Sequence, residues 1–237
     1  MSCRSPRAGE AFTLVELLVV VGVISLLVSI MLPGLANAKR ISQRTVCASN
    51  LHQIGLAMEY YLDDHQRVYP CAQDPVSAAP FYWLWMGRGW RGLVGPYIEA
   101  GIDKDNPSVL FCPGDPAPGN KYESTSYAYS MCYYHSDEQI DQAGTPADCY
   151  TNPKPAVSRS DKDVANPHGK TLIGEWTSNH KPASGDNGWW CWEGYRNFLM
   201  ASGTVICLDA TDMRPANDAL PDPNLTSGGL SGTDWPQ

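Results

Sequence analysis

The chain opens with an apolar run from Phe12 to Leu32 that contains one charged residue, Glu16. The polar remainder of the run is Thr13, Ser25 and Ser29. A helix of about twenty apolar residues spans the hydrocarbon core of a bilayer. The run therefore predicts a transmembrane helix over residues 12–32.

After Pro33 the apolar positions become one-sided, which is typical of an amphipathic helix. These positions are Leu35, Ala38, Ile41, Thr45, Ala48, Leu51, Ile54, Met58 and Tyr61. Pro33 lacks a backbone donor and clashes with the preceding turn, so a helix kink is expected there. The helix is expected to end near His65, before the Tyr69-Pro70 pair. Residues 33–68 are thus predicted to be an amphipathic helix that continues into a globular head.

The predicted head, residues 69–237, contains short strand patterns separated by turn formers. The predicted strands cover residues 109–111, 127–134, 170–176, 195–200 and 204–208, and the last two form a hairpin. Residues 136–168 are expected to form a long surface excursion. The tail after Asp209 is polar and rich in proline, and its last fifteen residues are expected to be disordered. The predicted fold class is α+β, with the amphipathic helix packed on a small antiparallel sheet.

Glu16 needs a partner if the apolar run lies in a membrane. A carboxylate near the end of such a span costs at least a few kcal/mol unless it is paired or reaches the interface. Cleavage before Phe12 would create an α-amino group four residues from Glu16. That amine could neutralise Glu16 within one chain or between neighbouring subunits, which would make Glu16 an assembly and register residue.

The segment A-F-T-L-V-E-L-L-V-V, residues 11–20, resembles the processing and methylation signature of type IV pilins and type II secretion pseudopilins. The resemblance implies that residues 1–11 are a leader and that a prepilin peptidase cuts between Ala11 and Phe12. It also implies N-methylation of Phe12, and it places Pro33 where the family often has a helix-kinking proline. The chain departs from the family pattern at Ala11, where glycine is usual.

Later segments resemble a large pseudopilin-like branch of this family. They are S-N-L-H-Q-I-G-L-A (residues 49–57), Tyr69-Pro70, L-F-C-P-G-D (110–115) and S-Y-A-Y-S-M (126–131). In the branch, the last hairpin turn usually carries aspartate, glycine and histidine, whereas this chain has Ser202, Gly203 and Thr204.

The resemblance implies a non-enzymatic structural subunit of a type II secretion or related type IV filament system. Its partners would be prepilin peptidase, other pseudopilin subunits and the membrane. It would be a single-pass protein of the bacterial inner membrane, with its head in the periplasm or on the extracytoplasmic side. Lys39, Arg40 and Arg44 follow the span closely, so the positive-inside rule by itself does not fix this orientation.

A cleaved secretory signal peptide is the alternative interpretation of the N-terminus. Arg4 and Arg7 would form its basic region, and Ala36-Asn37-Ala38 has the small-x-small form of a cleavage site. However, the apolar run exceeds the usual signal core of about 7–15 residues, and it contains Glu16.

The net charge and the cysteine content narrow the classes of protein to which the chain can belong. The formal net charge is −8, which excludes a general nucleic-acid binder because that role needs basic patches. The chain has eight cysteines, and their scattered spacing favours disulfides in an oxidising compartment over a zinc site. Cys3 lies in the predicted leader, so seven cysteines remain and at least one stays free or pairs between chains.

The spacing of the candidate metal ligands and nucleophiles does not match a known metal-binding or catalytic motif. Asp209, Asp212, Asp218 and Asp222 could hold calcium, but they lack the spacing of a dedicated loop. Cys132 and His135, with His168 and His180, have no second ligand pair at matching spacing, and no nucleophile signature is present. The sequence therefore predicts no catalytic residue, no metal ligand and no cofactor.

Six tryptophans leave a second function open. They are Trp83, Trp85, Trp90, Trp189, Trp190 and Trp192. Three tryptophans within four residues cannot all face inward on one strand. The alternative function is a membrane-tethered binding module that uses a tryptophan-rich surface for glycan or envelope partners.

Overall fold

The computed structural model describes residues 13–71, 90–98, 108–115, 125–144, 154–180 and 188–236. The chain divides into two compact units, Met1–Ile41 and Ser42–Gln237. Ala11, Phe12, Trp83, Trp85 and Cys149 lie outside the described residues, and so do the predicted cleavage and methylation sites.

The described elements are helices and one antiparallel sheet, which confirms the α+β class. In chain order they are α1 (Leu14–Asp64), α2 (Trp90–Val94), β1 (Tyr127–Tyr129), α3 (Asp137–Asp141), β2 (Thr171–Glu175), β3 (Tyr195–Met200) and β4 (Val205–Asp209). Each strand is hydrogen-bonded to the next in the order β1-β2-β3-β4, and all three pairings are antiparallel.

Helix α1 begins and ends close to the predicted positions. Its backbone stays helical through Pro33, and the predicted kink of the axis there stays a prediction. Gln66 and Arg67 have φ angles of 55° and 62°, and the Arg67 N–H donates to Leu62 O at 2.8 Å. Residues in this left-handed backbone conformation commonly end a helix.

The C-terminal part of α1 packs on the sheet, as predicted. Its buried residues are Cys47, Asn50, Leu51, Ile54, Gly55, Ala57, Met58, Tyr61 and Leu62. A Cβ at Gly55 would lie 3.0 Å from Cδ1 of Leu199 in β3, so the missing side chain permits this close approach. Asn197 Nδ2 also donates to Arg44 O at 3.2 Å.

The β3–β4 hairpin is confirmed. Tyr195 pairs with Asp209 at one end and Leu199 with Val205 at the other. Gly203 in the turn has φ 79°, a conformation that glycine adopts without steric cost. This requirement explains why the turn keeps its glycine even though Ser202 and Thr204 replace the residues usual in the pseudopilin-like branch.

One predicted strand is a turn in the structure, and another is shorter than predicted. Residues 109–111 form a turn, because the Phe111 N–H donates to Ser108 O at 3.0 Å instead of joining the sheet. The strand predicted over residues 127–134 ends at Tyr129. Ser130 then caps a 3₁₀ helix, Met131–Tyr133, by accepting from the Cys132 N–H.

The prediction of a disordered tail was also wrong. Leu225 and Leu230 are fully buried, and Asp234 is 3% exposed. The Asp234 N–H donates to Gly169 O at 2.8 Å, and its Oδ2 accepts from the Thr171 N–H at 2.7 Å. A few apolar residues within a polar tail thus anchor it beside β2.

The tail closes a buried polar network around Lys170. Lys170 is fully buried, and its Nζ lies 3.3 Å from Asp234 Oδ1 and 3.4 Å from Cys132 Sγ. The Thr226 hydroxyl contacts both Lys170 Nζ and Asp234 Oδ1. The network therefore neutralises a buried cation with a carboxylate 64 residues away.

Candidate functional site

The first candidate site is the start of α1, where Thr13 and Glu16 cap the helix reciprocally. Glu16 Oε2 accepts from the Thr13 N–H at 2.9 Å and from the Thr13 hydroxyl at 2.7 Å. The Glu16 N–H in turn donates to Thr13 Oγ1 at 3.2 Å. This is a capping box, which the T-x-x-E spacing signals and which the sequence-based predictions missed.

The capping box gives Glu16 a local partner in the described chain. Both hydrogen bonds end on Oε2, and Oε1 accepts none from the described residues. The carboxylate can therefore keep its cap and still receive a charged donor at Oε1.

Beyond Glu16 the apolar side chains of α1 are exposed. Leu14 is 78% exposed and Met31 is 70% exposed, with the large apolar residues between them at 45% or more. The most apolar 18-residue window has a mean hydropathy of 2.8 and is not buried within the protein. Helix α1 is therefore long and apolar enough to cross a membrane.

The second candidate site is a buried cluster of Cys47, Cys112, Glu175 and His180. Cys47 lies in α1, Cys112 in the turn at 109–115, Glu175 at the end of β2 and His180 five residues later. Cys47 and Cys112 form a disulfide that joins positions 65 residues apart, which confirms the predicted use of disulfides. The other cysteines of the described residues, Cys71, Cys132, Cys191 and Cys207, form no disulfide there.

A carboxylate and an imidazole lie directly against this disulfide. Glu175 Oε1 is 2.7 Å from His180 Nε2, and each of these atoms is 3.4 Å from Cys112 Sγ. The side chains of Glu175 and His180 are 0% and 1% exposed. The four potential ligand atoms all lie within 4.8 Å of one another.

Neighbouring backbone groups hold the cluster in place. The Asn197 N–H of β3 donates to Glu175 Oε2 at 2.8 Å, and the Gly114 N–H donates to Cys112 Sγ at 3.4 Å. A Cβ at Gly114 would lie 2.8 Å from His180 Cε1, so glycine lets the ring approach. His180 Nδ1 is buried with no hydrogen-bond partner among the described residues, so the ring is oriented through Nε2.

Sequence reasoning named His180 but not its partners. The cluster brings together four residues from positions 47 to 180, and only Glu175 and His180, five residues apart, are close in sequence. Within the described ranges, this is the one group of three or more such residues whose ligand atoms converge.

The aspartates considered for calcium do not converge in the described part of the chain. Asp209 caps the 3₁₀ helix Ala210–Asp212, and Asp212 completes its capping box. Asp222 is 2% exposed and accepts from the Asn224 N–H at 2.9 Å. Its Oδ2 is buried without a partner among the described residues.

Burial raises the pKa of the Asp222 carboxyl to about 7, and this predicts a pH dependence of stability. A carboxyl with a raised pKa binds more protons in the folded state between about pH 4 and 7, so its presence makes folding less favourable as the pH rises. The difference in free energy of unfolding between Asp222→Asn and the parent chain should therefore shift by about 2–4 kcal/mol in favour of the variant as the pH rises from 4 to 8.

Urea titrations of both chains at several pH values measure this difference. Asp212→Asn, at an exposed position, is the matched control for the loss of one negative charge. If the free energies of unfolding of Asp222→Asn and the parent change in parallel with pH, the raised pKa of Asp222 is contradicted.

Three of the six tryptophans that the structure describes in the C-terminal unit are buried. Trp90, Trp176 and Trp189 are 0–3% exposed, and Trp190 packs edge-on against Trp176 with ring centroids 4.6 Å apart. Trp192 is 37% exposed and donates to Ala219 O at 3.2 Å. Among the described tryptophans Trp192 is thus the most exposed, while Trp190 and Trp235 are partly buried.

Comparison with known proteins adds no relative. No protein-family model, no curated protein and no solved structure matches the chain. Its function is therefore inferred from the residues and contacts described above.

Proposed function

We propose that the chain is a structural pseudopilin-like subunit of a type II secretion or related type IV filament system, and that it assembles through its N-terminal helix. The observation that carries this proposal is the apolar, exposed surface of α1 from Leu14 to Leu32 with Glu16 at its start. An extended helix that is apolar on all sides needs lipid or other helices around it.

The proposed processing follows from the motif. Prepilin peptidase cuts between Ala11 and Phe12 and methylates the new amino group of Phe12. That amine then pairs with Glu16 on its own or a neighbouring chain, and the high cost of an unpaired charge in lipid sets the register of adjacent helices. Oε1 of Glu16 accepts no hydrogen bond from the described residues, which supports this pairing because a second donor does not have to displace Thr13.

The proposed location is the bacterial inner membrane, with the C-terminal unit on the extracytoplasmic side. The Cys47–Cys112 disulfide supports this side, because disulfides persist mainly in oxidising compartments. The tryptophan-based binding module remains the alternative function, but the burial of Trp90, Trp176 and Trp189 gives it no specific support.

Site-specific photocrosslinking in the native membrane tests the proposal. A photoreactive residue at Val20, which is 47% exposed, should give a ladder of covalent oligomers of this chain or of this chain with related subunits. Crosslinks to lipid alone, together with retention of the extracted protein on immobilised glycan, would favour the binding module instead.

A further inference from the structure

The cluster around the disulfide has the composition of a metal site. Two cysteine sulfurs, one imidazole nitrogen and one carboxylate oxygen are the ligand types that Zn²⁺ takes in four-coordinate sites. Thiolate ligands favour Zn²⁺ over hard cations such as Ca²⁺ and Mg²⁺, which prefer all-oxygen sites. All four residues are buried, at 0–8% exposure.

Two distances within the cluster match the edges of a tetrahedron around zinc. Zinc–sulfur bonds of about 2.3 Å and zinc–nitrogen or zinc–oxygen bonds of about 2.0–2.1 Å give ligand-to-ligand edges of about 3.5 Å. Cys112 Sγ lies 3.4 Å from His180 Nε2 and 3.4 Å from Glu175 Oε1. Zinc binding also requires two changes. The disulfide has to be reduced, and the distance between His180 Nε2 and Glu175 Oε1 has to increase slightly.

The surrounding groups are placed as outer-shell partners of a metal site are placed. The Asn197 N–H occupies Glu175 Oε2 and leaves Oε1 directed at the sulfurs. The Gly114 N–H donates to Cys112 Sγ, a contact that stabilises a thiolate. These two donors also offset the excess negative charge of two thiolates and one carboxylate around a divalent ion.

We propose that Cys47, Cys112, Glu175 and His180 bind one Zn²⁺ ion when the two cysteines are reduced, so that the disulfide and the zinc site are alternative states of one cluster. A dithiol reductant transfers two electrons and two protons to the disulfide and becomes a disulfide itself. Zn²⁺ then displaces the two thiol protons, and the proton shared by Glu175 and His180 moves to Nδ1 or to solvent. Either state ties α1, the turn at 109–115 and the end of β2 together.

The test uses the full chain in detergent, reduced and freed of metal, and titrated with Zn²⁺ alone. Cysteine alkylation followed by mass spectrometry measures each thiol separately. Zinc at one equivalent should protect Cys47 and Cys112 from alkylation, while the alkylation rates of Cys191 and Cys207 should not change. Both thiols are buried, so alkylation is followed until the metal-free chain has reacted at Cys47 and Cys112. Equal alkylation rates with and without zinc would then overturn the proposal, and this readout needs no variant.

Variants then assign the ligands. His180→Gln and Glu175→Gln should each weaken zinc binding by about 100-fold or more, since a lost ligand costs more than the roughly 10–100-fold of a lost outer-shell partner. The exposed His168 provides the matched control His168→Gln, which should bind as the parent does. Circular dichroism of the oxidised chains checks that each variant is folded.

Substitution with Co²⁺ provides the geometric readout. Reduced parent chain should show the visible bands of tetrahedral Co²⁺ and a thiolate charge-transfer band, and the Cys47→Ser/Cys112→Ser variant should show neither. Zinc binding that survives in Cys47→Ser/Cys112→Ser, or in both His180→Gln and Glu175→Gln, would place the ion elsewhere and refute the site. None of these readouts depends on filament assembly, so the zinc site and the proposed function stand or fail separately.

Discussion

Glu16→Gln is expected to lower the yield of crosslinked oligomers by at least about tenfold, while membrane insertion and cleavage at Phe12 continue. Glutamine can replace glutamate in a capping box, so this change keeps the contact with Thr13 and removes only the charge. A charge pair in lipid is worth a few kcal/mol, and each 1.4 kcal/mol corresponds to about tenfold in association. Crosslinking from Val20, normalised to the amount of processed protein, measures the effect.

Thr13→Val is the matched control for this prediction. It removes the hydroxyl that accepts from the Glu16 N–H and donates to Glu16 Oε2, but it leaves the Glu16 charge in place. Assembly should therefore fall by about fivefold or less, since a helix cap is typically worth about 1 kcal/mol. If Thr13→Val abolishes the ladder and Glu16→Gln keeps it, Glu16 acts as a helix cap and not as a partner of the amino terminus.

Lys170→Ala or Asp234→Ala should lower the free energy of unfolding of the C-terminal unit by about 3–5 kcal/mol. Each change leaves one buried charge without its counterpart, which is the costly way to break a buried ion pair. The side chains of Lys170 and Asp234 are 0% and 3% exposed, so water does not replace the lost partner. Urea unfolding of the full chain in mild detergent, followed by tryptophan fluorescence, measures this loss.

Two further variants separate the charge effect from simple packing. Lys162→Ala, at an exposed position, should change the free energy of unfolding by about 0.5 kcal/mol or less. Lys170→Met/Asp234→Leu should cost less than the sum of the single changes, because no buried charge remains unpaired. Single variants within about 1 kcal/mol of the parent would show that the network contributes little to stability.

The sequence predicted the elements whose signals are local. Helix α1 has a continuous apolar run followed by a clear three- and four-residue period, and both of its ends were placed within about two residues. The hairpin was predicted equally well, because alternating strands flank the Ala201-Ser202-Gly203 turn. These patterns depend on neighbours that lie within a few residues along the chain.

The failures depend on contacts that are distant in sequence. The tail looked disordered because its polar residues outnumber the few apolar ones, yet Leu225 and Leu230 fill the core and Asp234 pairs with Lys170, 64 residues earlier. The strand predicted at 109–111 is a turn whose backbone bonds to a segment fifteen residues later, since the Thr125 hydroxyl and the Ser126 N–H both donate to Leu110 O.

The two candidate sites differ in how far the sequence could reveal them. Glu16 was identified from its position in the apolar run, and its contact with Thr13 could have been found from the T-x-x-E spacing. The Cys47, Cys112, Glu175 and His180 cluster could not, since Cys112 and His180 are 68 residues apart and meet only where the turn at 109–115 lies against the residues that follow β2. A folded structure was needed to place them at one point.

The most direct measurement of the central claim is the intact mass and N-terminal sequence of the protein extracted from membranes. A processed filament subunit should begin at Phe12 and carry one added methyl group on its amino terminus. A chain that still begins at Met1, or one that begins at Lys39 after cleavage of a signal peptide, would contradict the proposed processing and assembly.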